Sequence, residues 1–155
     1  MSSYQIQVEP FAEAFPDVEP LCRAHYTEMQ ERMAADGMRI GDYKPRWNVY
    51  LAAPHLLCFV VRTSEGEAVG YSLIWITQDM HNSELISQED TIFVRKDHRN
   101  GVGRRMTKVI LAELKARGCL RAHVTIAMDQ RVASMCERVG FKRSATAMTY
   151  FLQET

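Results

Sequence analysis

Tyr4–Val8 alternates polar and apolar residues, which predicts a first β-strand. Val18, Leu21, Cys22, His25, Met29 and Met33 then recur at helical spacing and predict a helix over Asp17–Ala35, with Pro16 at its start. Asp36–Pro45 contains Gly37, Gly41 and Pro45 and reads as a long loop. A short helix over Trp47–Ala52, stopped by Pro54, follows it. Leu56–Arg62 and Ala68–Thr77 are apolar runs joined by a turn at Ser64-Glu65-Gly66, the pattern of an antiparallel hairpin. The second run alternates Val69, Tyr71, Leu73 and Trp75 against Ser72, Ile74 and Ile76. Beyond a polar loop at Gln78–Glu84, residues that favour strands resume over Ile86–Val94.

The period then changes. Val102, Met106, Val109, Ile110 and Leu114 mark an amphipathic helix that opens at Gly101-Val102-Gly103 and closes at Gly118. Ala122–Ala127 predicts a strand, and Asp129 an N-cap for a helix running through Val139 to Gly140. Phe141–Lys142 and Ala145–Leu152 predict two last strands. The order β-α-α-β-β-β-α-β-α-β-β, with strands on both sides of helices, implies an α/β (α+β) fold with a mixed central sheet.

Composition narrows the class. The chain has 155 residues, which predicts one domain over 1–155. With 19 basic and 19 acidic side chains it lacks the cationic excess of a dedicated nucleic-acid binder, and none is expected as a partner. The basic stretch Arg95–Lys108 has no interleaved aromatics for base stacking. The start of the chain reads as no secretory leader, and Leu56–Val61 and Val69–Ile76 are far shorter than the ~20 residues of a membrane span, so no membrane partner is expected. Cys22, Cys58, Cys119 and Cys136 form no CxxC pair, and the histidines form no HExxH. The expectation is a reduced, cytoplasmic protein without a metal site.

The segment Glu89–Arg105 carries the most chemistry. A strand runs through a glycine-bearing turn directly into a helix, so free N–H groups of the first helical turn converge where the backbone can approach a ligand. That is an anion site suited to a phosphate or pyrophosphate. Arg99, Arg104 and Arg105 crowd the positive end of the helix dipole, which disfavours cations by roughly 0.3–1 kcal/mol unless a polyanion binds there. A solvated basic helix start is the plainer reading. Gly103-Arg104-Arg105-Met106 lacks the Lys-Ser/Thr of a Walker A loop, and GVGRRM lacks the third glycine of a dinucleotide fingerprint.

Strand, HRNGVGRR, helix, strand, helix and Gly140-Phe141 together resemble the GNAT N-acetyltransferase superfamily, whose acetyl-CoA loop is commonly written [QR]xxGx[GA]. The resemblance covers nearly the whole chain. Glu89-Asp90, the HRN loop, the EAVGYSLI hairpin and the His25-Tyr26-x-Glu28 helix look most like a small phage-associated branch. The resemblance implies acetyl transfer from acetyl-CoA (coenzyme A) to a primary amine of a small molecule, peptide or protein. It implies that amides of Gly101, Val102, Gly103 and Arg104 bind the pyrophosphate, with Arg99 and Asn100 in the same loop. One deletion in that loop places Arg99 at the [QR] position; without it His98 stands there. The edge of Phe93–Val94 would pair with the pantetheine arm in a gap splayed from Ala122–Ala127. Asp129 falls where many members carry an asparagine that contacts pantetheine.

Many members also carry a tyrosine four residues before the glycine of GF, which protonates the departing thiolate; here that residue is Cys136. A thiol with pKa near ~8.5 can act as an acid, but cysteine is also a common buried residue. Loss of turnover in a GNAT-like binding protein is therefore the alternative function. An alkyl ammonium with pKa near ~10.4 must lose its proton before attack. Glu89 and Asp90 point to opposite faces of one strand, so one of them can line the cleft; the branch resemblance favours Asp90, with Glu89 facing solvent or tying down a loop. Either could instead pair with a neighbouring Arg or Lys. The resemblance implies an oxyanion contact from the Val94 N–H and direct attack in a ternary complex; a ping-pong route would run through Cys136. His25, Tyr26 and Glu28 on the first helix, His81 in the loop after the hairpin and Tyr150 near the C-terminus are acceptor-site candidates. His25 and Tyr150 read equally well as core residues. Exposed strand edges at the C-terminus predict a homodimer.

Overall fold

In the computed structural model, residues 3–126, 129–150 and 152 are described. Strands β1 (Tyr4–Glu9), β2 (Leu56–Thr63), β3 (Ala68–Gln78), β4 (Leu85–Val94) and β5 (Arg121–His123) form one sheet in chain order. The first four are antiparallel; β5 returns parallel to β4 after a crossover through α3 (Val102–Ala116). Helices α1 (Phe11–Ala35) and α2 (Trp47–Leu51) lie on one face, and α3 with α4 (Gln130–Val139) on the other. This is the mixed sheet the order of elements predicts. No helix among the described residues is long and apolar enough to cross a membrane.

Alternation along the strands divides the core. Cys58, Val60, Tyr71, Leu73 and Phe93 pack against Phe11, Ala14, Val18, Leu21 and Cys22 of α1. Leu57, Phe59, Val61, Val69, Ile74 and Val94 pack against Val102, Met106, Ile110 and Leu114 of α3. Val69 departs from the expected set with Tyr71 and Leu73. The ladder slips between Val61 and Arg62, Val69 becomes the extra residue of a bulge, and its side chain crosses to the α3 face.

Two boundaries differ from expectation. Helix α1 begins at Phe11, six residues before Asp17, and carries Pro16 and Pro20 inside it. Each proline removes a helical N–H, yet Phe11, Ala14 and Val18 form a buried stripe whose burial outweighs that loss. Strand β5 spans only Arg121–His123, residues 124–126 leave the sheet, and Ala127 lies outside the described residues. Phe141–Lys142 and Ala145–Tyr150 form no strand, and Phe151 lies outside the described residues. The strand propensity there finds no long partner edge, because β5 offers three residues, and an unpaired strand is unstable in water. Met148, Tyr150 and Leu152 stay exposed.

Candidate active site

Strand β4 is bonded to β5 only from Ile86 to Gln88. Beyond Gln88 the two strands separate, and a cleft of about 300 Å³ opens between the end of β4, α1 and the start of α4. The main chain of β4 faces this opening in a definite way. Arg95 N–H donates to Val69 C=O, and Val94 stands opposite Gly70. In an antiparallel ladder the bonded side alternates, so the N–H and C=O of Val94 and of Ile92 point away from β3 and into the gap. The Ile92 groups and the Val94 N–H thus edge the gap, while the Val94 C=O is taken up by the Arg99 side chain. The Phe93 ring itself is core, stacked on His25 with centroids 5.0 Å apart.

At one end of the cleft lies the turn into α3. Gly101 adopts the left-handed conformation at φ 80°, and its N–H bonds the Arg99 carbonyl at 2.6 Å. Gly101 therefore fixes the turn and withholds its own amide from a ligand. The amides of Val102, Gly103 and Arg104 open the helix, with Arg105 N–H the first to bond back, to Gly101 C=O. Gly103 and Arg99 line the cleft; Arg104 and Asn100 are exposed beside it. Arg99 is turned inward rather than toward those amides. Its Nε donates to Val94 C=O and its Nη2 to Glu28, both at 2.7 Å. Burial pushes the Glu28 carboxyl up, but Arg99 holds it below the usual range. Asp129 caps α4 by accepting from the amides of Arg131 and Val132 and meets Arg32 of α1 at 3.3 Å, across the cleft. Its carboxyl is thus engaged with the protein's own groups.

A second hollow, about 360 Å³, lies on the same face of the sheet between α1, α2 and β4. His25 and Met29 line both spaces. The β3–β4 ladder slips between Leu73 and Ile74, which pair with Thr91 and Glu89 and leave Asp90 as the extra residue. The bulge puts Asp90 and Thr91 together on the α1 side. Asp90 accepts a hydrogen bond from Tyr50 at 3.0 Å. Burial, with Asp90 beside it, pushes the Tyr50 phenol up to about 12, so Tyr50 keeps its proton for that bond. His25 shares a hydrogen bond of 3.0 Å with Tyr71, and burial lowers its imidazole to about 4, so it is neutral at ordinary pH. Tyr26 lines the hollow and donates to Gly41 C=O at 2.7 Å, tying the long loop to α1.

Glu89 occupies the opposite face. It is not solvent-facing, and the Thr125 amide ties it to the segment that follows β5, as one of its two expected roles has it. It lies with Cys136, Ser72 and Thr107 in a small, largely apolar cavity under α3 and α4. Burial pushes its carboxyl up to about 7, against the Thr125 amide, which favours the charged form. Cys136 is 4% exposed; burial and then Glu89 push its thiol up.

Two expected residues lie away from both spaces. His81 sits in the β3–β4 turn, where its N–H bonds Asp79. Tyr150 is 85% exposed beyond α4 and lines neither space. Conversely, Tyr43, Lys44, Arg46 and Tyr50 line the hollow without having been singled out. Their signal was present: Tyr43, Trp47 and Tyr50 recur three to four residues apart beside two cations.

The sequence matches the model of the Acetyltransferase (GNAT) family over residues 11–141. A search of curated proteins returned no match. Among solved structures, the fold is similar to a ribosomal-protein-alanine N-acetyltransferase from Brucella melitensis biovar Abortus 2308, with TM-score 0.76, 14% identity, and 98% of this chain and 99% of that chain covered. It is also similar to an aminoglycoside acetyltransferase from an uncultured soil metagenomic sample, with TM-score 0.72, 14% identity, and 97% and 99% covered.

Proposed function

The chain belongs to the GNAT acetyltransferase family, and on that premise we propose that it moves an acetyl group from acetyl-CoA to a primary amine by direct attack in a ternary complex. The observation that carries this reading is the adjacency of two spaces. Unbonded amides at the start of α3 lead into the β4 gap, and the gap shares His25 and Met29 with a second hollow that holds a carboxylate. Two adjacent spaces suit two substrates bound together.

When bound, acetyl-CoA supplies an activated thioester. The amides of Val102, Gly103 and Arg104 and the helix dipole receive its diphosphate, with Arg104 and Asn100 at the rim. The strand groups of Ile92 align the pantetheine arm, and the Val94 N–H offers a donor where negative charge develops on the thioester oxygen. Asp90 faces the hollow, so Asp90 holds the incoming ammonium and takes its proton, with Tyr50 donating to the carboxylate; the C–N bond would form as the C–S bond breaks, and the second amine proton would pass through solvent to the departing thiolate. Glu89 lies across the sheet and is assigned to packing with Cys136. The Cys136 thiol is pushed up by burial and stays protonated at neutral pH, which disfavours it as a ping-pong nucleophile.

The test combines thermal shift with thiol release. Saturating acetyl-CoA raises Tm, and CoA thiol appears when an amine panel is added. Absence of any shift defeats the proposal. A CoA-binding protein without turnover is the second reading, favoured by the buried thiol at the tyrosine position, and a shift with no thiol release on any amine selects it.

A further inference from the structure

The acceptor hollow has a polarity of its own. It carries one negative group: Asp90, itself exposed, is the one carboxylate lining it among the described residues. Its rim is positive: Lys44 and Arg46 line it, are exposed, and make no ion pair or side-chain hydrogen bond among the described residues. Elsewhere the arginines of the chain are commonly paired, as Arg62 with Glu9 and Arg121 with Asp79. Tyr50 donates to Asp90, and the charge of Arg46 opposes the effect of Asp90 on its phenol.

The walls are flat and apolar. Trp47 and Tyr50 lie edge to face, with centroids 5.8 Å apart, and Tyr26 packs on Tyr43 at 5.4 Å. The Arg23 guanidinium sits 4.9 Å over the Tyr43 ring and fixes it from outside. Two hydroxyls beside this hollow, Tyr43 Oη and Thr91 Oγ1, are sealed from solvent, with Glu19 and Tyr71 as their polar neighbours.

We infer that the acceptor is a small amphoteric amine: an ammonium at one end, a flat apolar body, and an anionic group, carboxylate or phosphate, at the other. This rests on the acetyl-transfer reading, since it names the substrate class of the same site. The ammonium meets Asp90 and the ring faces, which attract cations. The body lies between Trp47 and the tyrosines. The anionic group meets Lys44 and Arg46. A polyamine is disfavoured because its distal charges face the two cations at the rim. A volume of about 360 Å³ accommodates one substituted ring.

Three probes on one skeleton test this with acetyl-CoA as donor: tyramine, O-phosphotyramine and para-(aminoethyl)benzoate. The two anionic amines are expected to show kcat/KM about tenfold or more above tyramine, carried mainly by KM. The phosphate and carboxylate arms separate the two anionic sources by their ratio. A Lys44→Ala/Arg46→Ala variant is expected to erase the advantage. Equal values for all three amines, or an advantage that survives in the variant, overturns the proposal.

Binding can also be read without turnover. The chain has two tryptophans; Trp47 lines the hollow and Trp75 packs on Tyr50 at 5.6 Å. O-phosphotyramine is expected to quench their emission saturably, with affinity about tenfold weaker in the double variant. No saturable quenching overturns the proposal. Thiol release on amines without an anionic preference leaves acetyl transfer standing and removes this substrate class. Failure of acetyl-CoA to bind removes the transfer reading and the acceptor role with it.

Discussion

Gly101 and Gly103 are glycine for different reasons. Gly101 has φ 80°, where a side chain costs about 1–2 kcal/mol. Gly103 has an ordinary helical backbone, and a Cβ there would meet only Met135 Sδ, at 3.6 Å. What a larger residue would occupy is the cleft, which Gly103 and Met135 line. Gly103→Ala is therefore expected to leave the acetyl-CoA thermal shift in place and Gly103→Leu to remove it. A shift retained by Gly103→Leu would place the cofactor elsewhere. The adjacent carboxylates separate in the same manner. Asp90→Asn is expected to lower kcat by roughly 10²–10⁴-fold, whereas Glu89→Gln lowers it less than about tenfold, since Glu89 faces the α3 cavity. The reverse order in steady-state kinetics would make Glu89 the base. Sequence showed that the two residues face opposite sides. It could not show which side holds the acceptor hollow, because α2 and the long loop approach β4 only in the folded chain.

At the scale of elements, close approach of β3 and β4 sets the shape of the site. A Cβ on Gly70 would lie 2.9 Å from the Phe93 carbonyl oxygen, 3.1 Å from Val94 Cγ2 and 3.3 Å from Val61 Cγ2. The nearest of these is backbone, so β4 must shift. Gly70→Ala is expected to cost about 1–3 kcal/mol in denaturant unfolding and to weaken acetyl-CoA binding, because the shifted residues border the gap. Stability unchanged by this substitution would show that the two strands are more loosely packed. Helices α3 and α4 were legible from local signals: glycine at φ 84° after α3, and Asp129 capping α4. The start of α1 was not, because Pro16 and Pro20 are local breakers overruled by long-range burial. The expected C-terminal strands failed for the converse reason: propensity was present and a paired edge was not.

Over the whole molecule, two buried titratable groups pull stability in opposite directions with pH. Glu89 has its carboxyl raised from 4.5 to about 7 by burial. Its contribution is fully present below about pH 4.5 and is lost as pH rises through 7, because the unfolded chain gives up the proton first. His25 has its imidazole lowered from 6.5 to about 4 by burial. Its contribution is present above 6.5 and is lost as pH falls toward 4, because the unfolded chain gains the proton first. Tm measured across this range is expected to show Glu89→Gln relieving a loss of about 1–3 kcal/mol on the alkaline side, and His25→Gln flattening the acid side. Parallel pH profiles for wild type and both variants would show that neither group is desolvated as described.

The sequence by itself determined the order of most elements, the glycine turn into α3 and the cap of α4, because periodicity, capping and glycine conformation act over a few neighbouring residues. Tertiary structure decided what those elements enclose. The bulge that turns Asp90 toward α2, the inward latch of Arg99 on Glu28, and the meeting of Tyr43, Trp47 and Tyr50 with β4 depend on residues tens of positions apart. Only burial in a shared core brings such groups together, and burial is a property of the whole chain.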